Sequence, residues 1–381
     1  MKNSWHFVTL SSLGTFDKGA GISKADILPK GLPCIRYAEI YTKYNFQVTE
    51  CESYISAETA KTSRSISKGT LLFAGSGETA EDIGKSVAYL GQVTAYASGD
   101  TILFKLNNPK ENALFYSYYL NTIGRKQLNK LGEGQSIVHI YPREIAKVKV
   151  PCPSIAEQEK IVEVLETWDK AIDLTKRLIE QKELQKKYLM QQLLTGRTRL
   201  PCFTNKWKNI KLGECSEIYQ PKTISSTDLI SEGYPVFGAN GQIGFYNQFN
   251  HKTWQIMITC RGATCGTVNR TYGEAWITGN AMVVNVDRSP IIDKLFLFYL
   301  LLSRNFSSIV SGSGQPQIVR SPLLKYSLHI PNDIKEQQTI AEVLSSVDKE
   351  IDLLKQKLTK LEEQKKGLMQ ILLTGKVRLN K

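Results

Sequence analysis

The sequence predicts an α+β chain in which two globular domains alternate with two long helices that pair as an antiparallel coiled coil, in a pseudo-twofold, circular organisation. Three observations predict it. Residues 155–200 (IAEQEKIVEVLETWDKAIDLTKRLIEQKELQKKYLMQQLLTGRTRL) and 334–379 (IKEQQTIAEVLSSVDKEIDLLKQKLTKLEEQKKGLMQILLTGKVRL) match at 26 of 46 positions, at a constant offset of 179 with no gap. Both copies carry apolar residues at heptad spacing. Each copy follows a globular stretch, and the landmarks of those stretches recur as well. A repeat of this length sets the architecture before any single motif does.

The predicted order is a globular segment over 1–154, a helix over 155–200, a second globular segment over 201–333 and a second helix over 334–381. In the first segment the apolar runs TLLFA (70–74) and DTILFKL (100–106) lie between glycine-rich turns and read as strands of a curved sheet. In the second, WQIMIT (254–259) and AMVVNV (281–286) do the same. The stretches ENALFYSYYLNTIGRKQLNKLG and IIDKLFLFYLLLSRNFSSIVSG have helical spacing and should pack on those sheets. The segments also resemble one another. Trp5, Leu10, Gly31 and Pro33 answer Trp207, Leu212, Gly233 and Pro235 at an offset of 202. Ser98, Gly99 and Asp100 answer Thr278, Gly279 and Asn280 at 180, and at the same offset Gly132, Gly134, Gln135 and Pro142 answer Gly312, Gly314, Gln315 and Pro322.

The helices follow from their seams. In the second, Ile340, Leu344, Val347, Ile351, Leu354, Leu358, Leu361, Leu368 and Leu372 fall on alternating steps of four and three, broken only by Lys365. The first keeps Ile161, Leu165, Trp168, Ile172, Ile179, Leu189 and Leu193, interrupted by Thr175, Lys182 and Lys186. Good helix formers fill the remaining positions. Pro151 and Pro331 mark the change from extended chain to helix, and Gly196 and Gly375 are placed to cap the ends. About 40 helical residues make a rod near 60 Å long, too long to bury its seam on one small domain, so the rods are expected to pair with each other. An antiparallel pair relates the domains by an approximate twofold axis. The terminal sequence LLTGKVRLNK would run into MKNSWHFVTL much as LLTGRTRLPCFTNKW joins helix to domain midway, which predicts that the termini lie together.

Composition bounds the function. The 381 residues are 41% hydrophobic and 22% charged, and no apolar run approaches the roughly 18 residues that span a bilayer. The N-terminal stretch lacks the apolar core of a signal peptide, so a cytoplasmic protein is expected. Seven cysteines form no CxxC pair, and His6, His139, His251 and His329 are scattered, which argues against a metal site. Of the net charge of +13, residues 1–154 carry +5 and residues 201–333 carry +4. Positive charge thus concentrates in the globular segments, as suits parts that approach a polyanion.

Two glycine motifs suggest an enzyme and fail. Residues 75–80 (GSGETA) fit a loose dinucleotide fingerprint, but EDIG makes a poor helix start after them. Gly84, Lys85 and Ser86 end like a P-loop whose leading glycine is instead Thr79. There is no NPPY, DPPY or FxGxG element for adenine methylation and no catalytic constellation, so no catalytic residue and no cofactor are expected in this chain. The polar loops are more informative. Asn240 and Gln242 stand in YPVFGANGQIGFYN, and Arg261 and Thr264 in TCRGATCGTVN, among small residues that permit close backbone approach. Asn and Gln can pair with adenine and Arg with guanine. The loops of the first segment offer Lys61, Arg64, Lys68, Ser76, Thr79 and Lys85, and Gln315 and Gln317 precede the second helix.

With its Pro-to-Glu-Gln-to-Ile pattern (Pro151, Glu157, Gln158, Ile161; Pro331, Glu336, Gln337, Ile340) and its LLTGxxRL exit, the sequence resembles the specificity subunits of type I restriction-modification systems over its whole length. YPVFGANGQIGFYN, CRGATCGTV, WITGNAMVV and KGTLLFAGSGETAEDIGKS add to the resemblance. The first segment departs from it, carrying CIRYAEI where the second has the GANGxIG loop. The resemblance implies that the globular segments are target-recognition domains, each reading one half of a bipartite double-stranded DNA site, with the helices as spacer. It implies two modification subunits that hold S-adenosylmethionine, two restriction subunits that use ATP and Mg, and no membrane. A coiled-coil adapter without DNA specificity and a self-contained methyltransferase or nuclease are the competing readings.

Overall fold

The computed structural model describes residues 5–79, 82–134, 138–312 and 314–379. Gln135, paired above with Gln315, lies outside the described residues. The chain divides within the helices rather than at their ends, into one compact unit of residues 1–175 and 357–381 and another of 176–356.

In the first unit a five-stranded sheet runs Gly14–Lys18, Thr101–Leu106, Thr70–Ala74, Ser86–Tyr89 and Gln47–Val48, with only the last pair parallel. A second sheet orders Ser53–Ile55, Leu32–Ile35, Ala95–Ala97 and Arg64–Ile66. Side chains alternate along a strand. In Thr70–Ala74 this sends Leu71 and Phe73 into a core with Phe104, Phe115 and Tyr119, and Leu72 and Ala74 into another with Ile35, Val87 and Tyr89. Both faces are covered, which is why TLLFA is apolar throughout. The helix Ala113–Asn121, capped by the Asn112 side chain, closes the first of these cores.

The second unit repeats the plan. Its sheet orders Glu217–Tyr219, Ala281–Asn285, Ile256–Thr259 and Val268–Arg270, beside a three-stranded sheet of Gly241–Tyr246, Tyr234–Gly238 and Trp276–Ile277. Ile256 and Ile258 face a core with Phe296 and Leu300, while Met257 faces another with Phe237 and Ile277. The helix Lys294–Leu302, capped by Asp293, takes the place of Ala113–Asn121. Backbone pairs confirm the frame: Phe16 opposes Phe104 and Ile218 opposes Val284. One sequence alignment is corrected. Glu133 bridges His139 and Ser311 bridges Gln317, so the equivalence there is an offset of 178, not the 180 that the recurring glycines indicated. Backbone pairing fixes the register, and the two glycine patterns are out of step by two residues.

The long helices span Ile155–Leu193 and Ile334–Leu372, 39 residues each. They run antiparallel within each unit. In the second unit Arg199 pairs with Glu336, Lys186 with Asp348 and Lys182 with Glu350, so partner numbers rise as the others fall. In the first, Lys365 pairs with Asp169 and Arg378 with Glu157. Ile161, Leu165, Ile172 and Leu372 of the first unit are buried, with Trp168, Leu358, Leu361 and Leu368 half-buried. In the second, Ile179, Leu193, Ile340, Leu344, Val347 and Ile351 are buried, with Leu189 and Leu354 half-buried. The seam does not serve helix pairing alone. Ile161 and Leu165 share a core with Leu114, Phe115 and Leu372, and Ile340 and Leu344 share one with Phe296, Leu300 and Leu193.

The repeated motifs acquire a physical role. Glu157 is 1% exposed and accepts from Arg378 Nε and Nη2 at 2.6 and 2.7 Å and from Trp5 Nε1 at 3.1 Å. Glu336 repeats this with Arg199 at 2.6 and 2.8 Å and Trp207 at 3.3 Å. The neighbouring glutamines join each long helix to its domain: Gln158 accepts from Asn112 N–H and Gln337 from Asp293 N–H, both at the cap of the domain helix. Gly196 and Gly375 adopt φ of +71° and +68° beside the Trp207 and Trp5 rings, a conformation that favours glycine and turns the chain so the arginine reaches the glutamate. Trp5 and Arg378 thereby bring the two ends of the chain together in the first unit. Lys365 and Lys186, which break the apolar seams, are also equivalent. Lys365 pairs with Asp169, which takes a 2.5 Å hydrogen bond from Tyr118, and Lys186 pairs with Asp348 at 2.6 Å, which takes one of 2.7 Å from Tyr299. Among the described residues no helix is long and apolar enough to cross a membrane.

Candidate nucleic-acid interface

In the second unit three loops meet beyond the end of Ile256–Thr259. The first is the tip between Tyr234–Gly238 and Gly241–Tyr246. Asn240 lies there, and its side-chain oxygen accepts from Thr264 Oγ1 at 2.8 Å and from Thr259 Oγ1 at 3.4 Å. Thr259 Oγ1 and Asn269 Nδ2 both donate to Ala239 O, fixing the tip to the sheet. The second loop runs from Cys260 to Thr267, and the third is bound to it: Gly262 N–H donates to Pro316 O, Ile318 N–H to Cys260 O, and Arg261 bridges Gln317. Asn240, Arg261, Thr264, Gln315 and Gln317 thus lie on adjoining loops, with Asn240, Arg261, Thr264 and Gln315 exposed and Gln317 half-buried. Gln242 is exposed on the strand and bonded to Tyr272 Oη. The face offers amide, guanidinium and hydroxyl groups on fixed backbone, the chemistry that reads base edges and phosphates.

The first unit scatters its candidates more. Arg64 pairs with Asp17 at 3.1 Å, and Lys61 pairs with Glu58 at 2.7 Å, both at exposed positions. Lys68 precedes Thr70–Ala74 and Ser76 follows it, so a five-residue strand separates them, about 16 Å. Thr79 is exposed and donates to Asp82 Oδ2 at 2.7 Å, holding its own turn. Two candidates turn inward. Ser76 is 4% exposed, and the half-buried Lys85 donates to Tyr44 O at 2.8 Å. Burial pushes the Lys85 ammonium below its ordinary range, and Arg125 adds to the effect. Among the described residues of this loop, 75–79 do not start a helix: Ser76–Gly77 is a short strand paired with Val138–His139.

That pairing identifies a residue the sequence reading passed over. His139 is exposed, and its Nδ1 lies 2.9 Å from Ser76 Oγ. It lines a cavity of about 70 Å³ with Lys18, Ser76, Asp100 and Tyr141. A lone histidine without a metal-ligand spacing gives no signal in sequence. Its position opposite Ser76 is set by strand pairing across 63 residues.

The sequence model of one protein family, described as Type I restriction modification DNA specificity domain, matches residues 2–184 and 204–363. The chain is 26% identical over 302 residues to the type I restriction enzyme MjaVIII specificity subunit of Methanocaldococcus jannaschii, covering 70% of each chain. It is 30% identical over 211 residues to the EcoprrI specificity subunit of Escherichia coli, covering 52% of this chain and 51% of that one. The fold is similar to the crystal structure of a type I restriction-modification S subunit from M. genitalium, with a TM-score of 0.67 and 19% identity over 98% of this chain and 97% of that one. A chain from a structural study of type I system assembly and conformational transition matches with a TM-score of 0.59 and 16% identity over 98% and 99%. With both globular segments and most of both helices matched, the chain belongs to the type I restriction-modification DNA specificity family, as a specificity subunit with two target-recognition domains.

Proposed function

We propose that this chain is the non-catalytic address of a type I restriction-modification complex, with each globular domain reading one half of a bipartite double-stranded DNA target. The observation that carries the reading is a duplicated frame with unlike loops. Both domains keep the same order of four strands in the main sheet and the same attachment to the helices, while the loops beyond Thr70–Ala74 and Ile256–Thr259 present different side chains. Two readers of different half-sites need that division. The charges of +5 and +4 on the globular segments supply phosphate attraction to both. An adapter lacking DNA specificity has no comparable support.

In this reading the paired helices set the gap between half-sites, which on one face of DNA recur near one turn, roughly 34 Å or a multiple. Their outer surfaces dock two modification subunits. Leu174, Leu184, Tyr188 and Leu353 are 59 to 67% exposed there, as apolar contacts awaiting a partner are. S-adenosylmethionine then belongs to the modification subunits, and ATP and Mg to two restriction subunits, since the glycine loops of this chain are spent on turns and strand pairing. Action on genomic DNA places the complex in the cytoplasm. Methylation profiling of cells that express this chain with its modification subunit tests the proposal. It should return a motif of two short specific blocks around an unspecified gap, and replacing residues 201–333 with another such domain should change one block only. A single contiguous motif would overturn it.

A further inference from the structure

We infer that His139 reads a base of the half-site assigned to the first domain, at the position that Gln317 occupies in the second. The inference rests on the DNA-reading proposal and adds a residue to it. The two positions are equivalent by backbone geometry. Ile140 N–H donates to Gly75 O at 3.0 Å, and Ile318 N–H donates to Cys260 O at 3.0 Å. His139 lies opposite Ser76 and bridges Glu133, and Gln317 lies opposite Arg261 and bridges Ser311. The bridges are doubly bonded, Glu133 with His139 at 2.9 and 2.8 Å and Ser311 with Gln317 at 2.8 Å both ways. Each middle residue is therefore held on a short ribbon between two neighbours, a rigid mount of the kind that positions a side chain for recognition.

The chemistry of the mount selects what His139 can read. Ser76 Oγ is buried, and a buried hydroxyl proton needs an acceptor. Its side-chain neighbour at hydrogen-bond distance is His139 Nδ1, at 2.9 Å. In the tautomer that lets the serine donate, Nδ1 accepts and the ring proton is on Nε2, a single donor on the far side of the ring from Ser76. A fixed donor suits a base acceptor in the major groove, such as guanine N7 or O6, and opposes the amino groups of adenine and cytosine. The surroundings carry both signs of charge: Lys18 and Asp100 line the same cavity, and Arg143, paired with Glu144 at 3.3 Å, lies over the exposed Tyr141 ring at 5.8 Å. Gln317 carries both a donor and an acceptor, so the two domains place different codes on one mount.

The test is methylation profiling of the assembled complex carrying H139A, H139Q, Q317A or S76A. H139A should relax one base of one half-site and weaken binding to the cognate DNA on the order of ten- to a hundredfold, leaving the other half unchanged. Q317A should relax a base in the opposite half. H139Q should change which base is preferred at the H139A position. S76A frees Nδ1 without removing the ring and should broaden the preference at that same base. The unaffected half-site is an internal control for folding. An unchanged motif in H139A, a loss spread over both halves, or relaxation of the same half by H139A and Q317A would each overturn the inference. If the unaltered complex shows no bipartite motif, the DNA-reading proposal itself fails.

Discussion

The two globular domains share a frame and differ in how the chain leaves it. After Tyr234–Gly238 the second domain turns back at Ala239 and Asn240 into Gly241–Tyr246, a tight hairpin. After Leu32–Ile35 the first domain inserts the helix Tyr37–Thr42, whose buried Glu39 bonds Arg36 and Ser53, before a strand returns at Ser53–Ile55. It also adds Gln47–Val48 as a fifth strand of the main sheet. The central four strands are unaffected by the change. What stays constant is the set of joints to the long helices, the Glu157 and Glu336 brackets and the Gln158 and Gln337 caps, and what varies most visibly is the connection after Leu32–Ile35 and Tyr234–Gly238. The duplication has therefore been retained where its parts are mechanically coupled and released where they face outward.

The most forceful way to break the comparison is to attack the part held in common. Glu157 and Glu336 are buried carboxylates bound to arginines whose side chains are 28 and 29% exposed. Removing one partner of a buried pair leaves a charge unmatched, and the partial exposure of the arginines moderates the cost. Glu157→Ala and Glu336→Ala should each cost roughly 2–4 kcal/mol. Hydrogen exchange can localise the damage, with Ala113–Asn121 reporting on the first unit and Lys294–Leu302 on the second. Each variant should lose protection in its own unit and keep it in the other. Equal loss in both units would show that the brackets do not act as separate copies.

A subtler comparison uses the lysines that interrupt the seams. Lys365 is 6% exposed at its side chain and lies 4.3 Å from the Phe46 ring centroid, whereas Lys186 is 22% exposed. Tyr118→Phe and Tyr299→Phe each delete a hydroxyl donor to an aspartate and should cost about 1–2 kcal/mol, since bonds to charged groups are worth more than neutral ones. The first should cost more, because its network is drier. Urea unfolding of the two variants side by side checks the order; a larger loss in Tyr299→Phe would mean that burial of the lysine does not set the strength.

These networks also show where sequence legibility ended. The heptad seams, the strands TLLFA and DTILFKL and the antiparallel pairing were readable because periodicity reports a buried face without its partner being known. Lys186 and Lys365 looked like interruptions because Asp348, Tyr299, Asp169 and Tyr118 lie on other turns and other elements. The Glu-Gln and LLTGxxRL motifs were recognised as a repeat, but their meaning required seeing that the arginine of one helix exit meets the glutamate at the start of the other. In the second domain the candidates converged because glycine and asparagine mark tips that fold onto one another. In the first, Ser76 and Lys85 have residue types that suit phosphates, and burial turns both inward.

The smallest effect concerns acid. Burial alone would push the Glu157 carboxyl up, but the hydrogen bonds from Arg378 and Trp5 outweigh it and hold the group below the ordinary glutamate value. A carboxyl depressed in the folded state adds stability that is complete above its unfolded pKa, near 4.5, and that is lost as pH falls through the lower folded value. The first unit should therefore shed part of its stability below pH 4.5, at the bracket that joins the chain ends. Glu157→Gln binds no proton in this range, so it should be less stable at neutral pH but show a shallower decline into acid. The readout is hydrogen exchange of Ala113–Asn121 at neutral and acid pH in both proteins. Parallel declines would mean that the carboxyl of Glu157 is not depressed by its partners, and that the first bracket is held by packing against Trp5 rather than by charge.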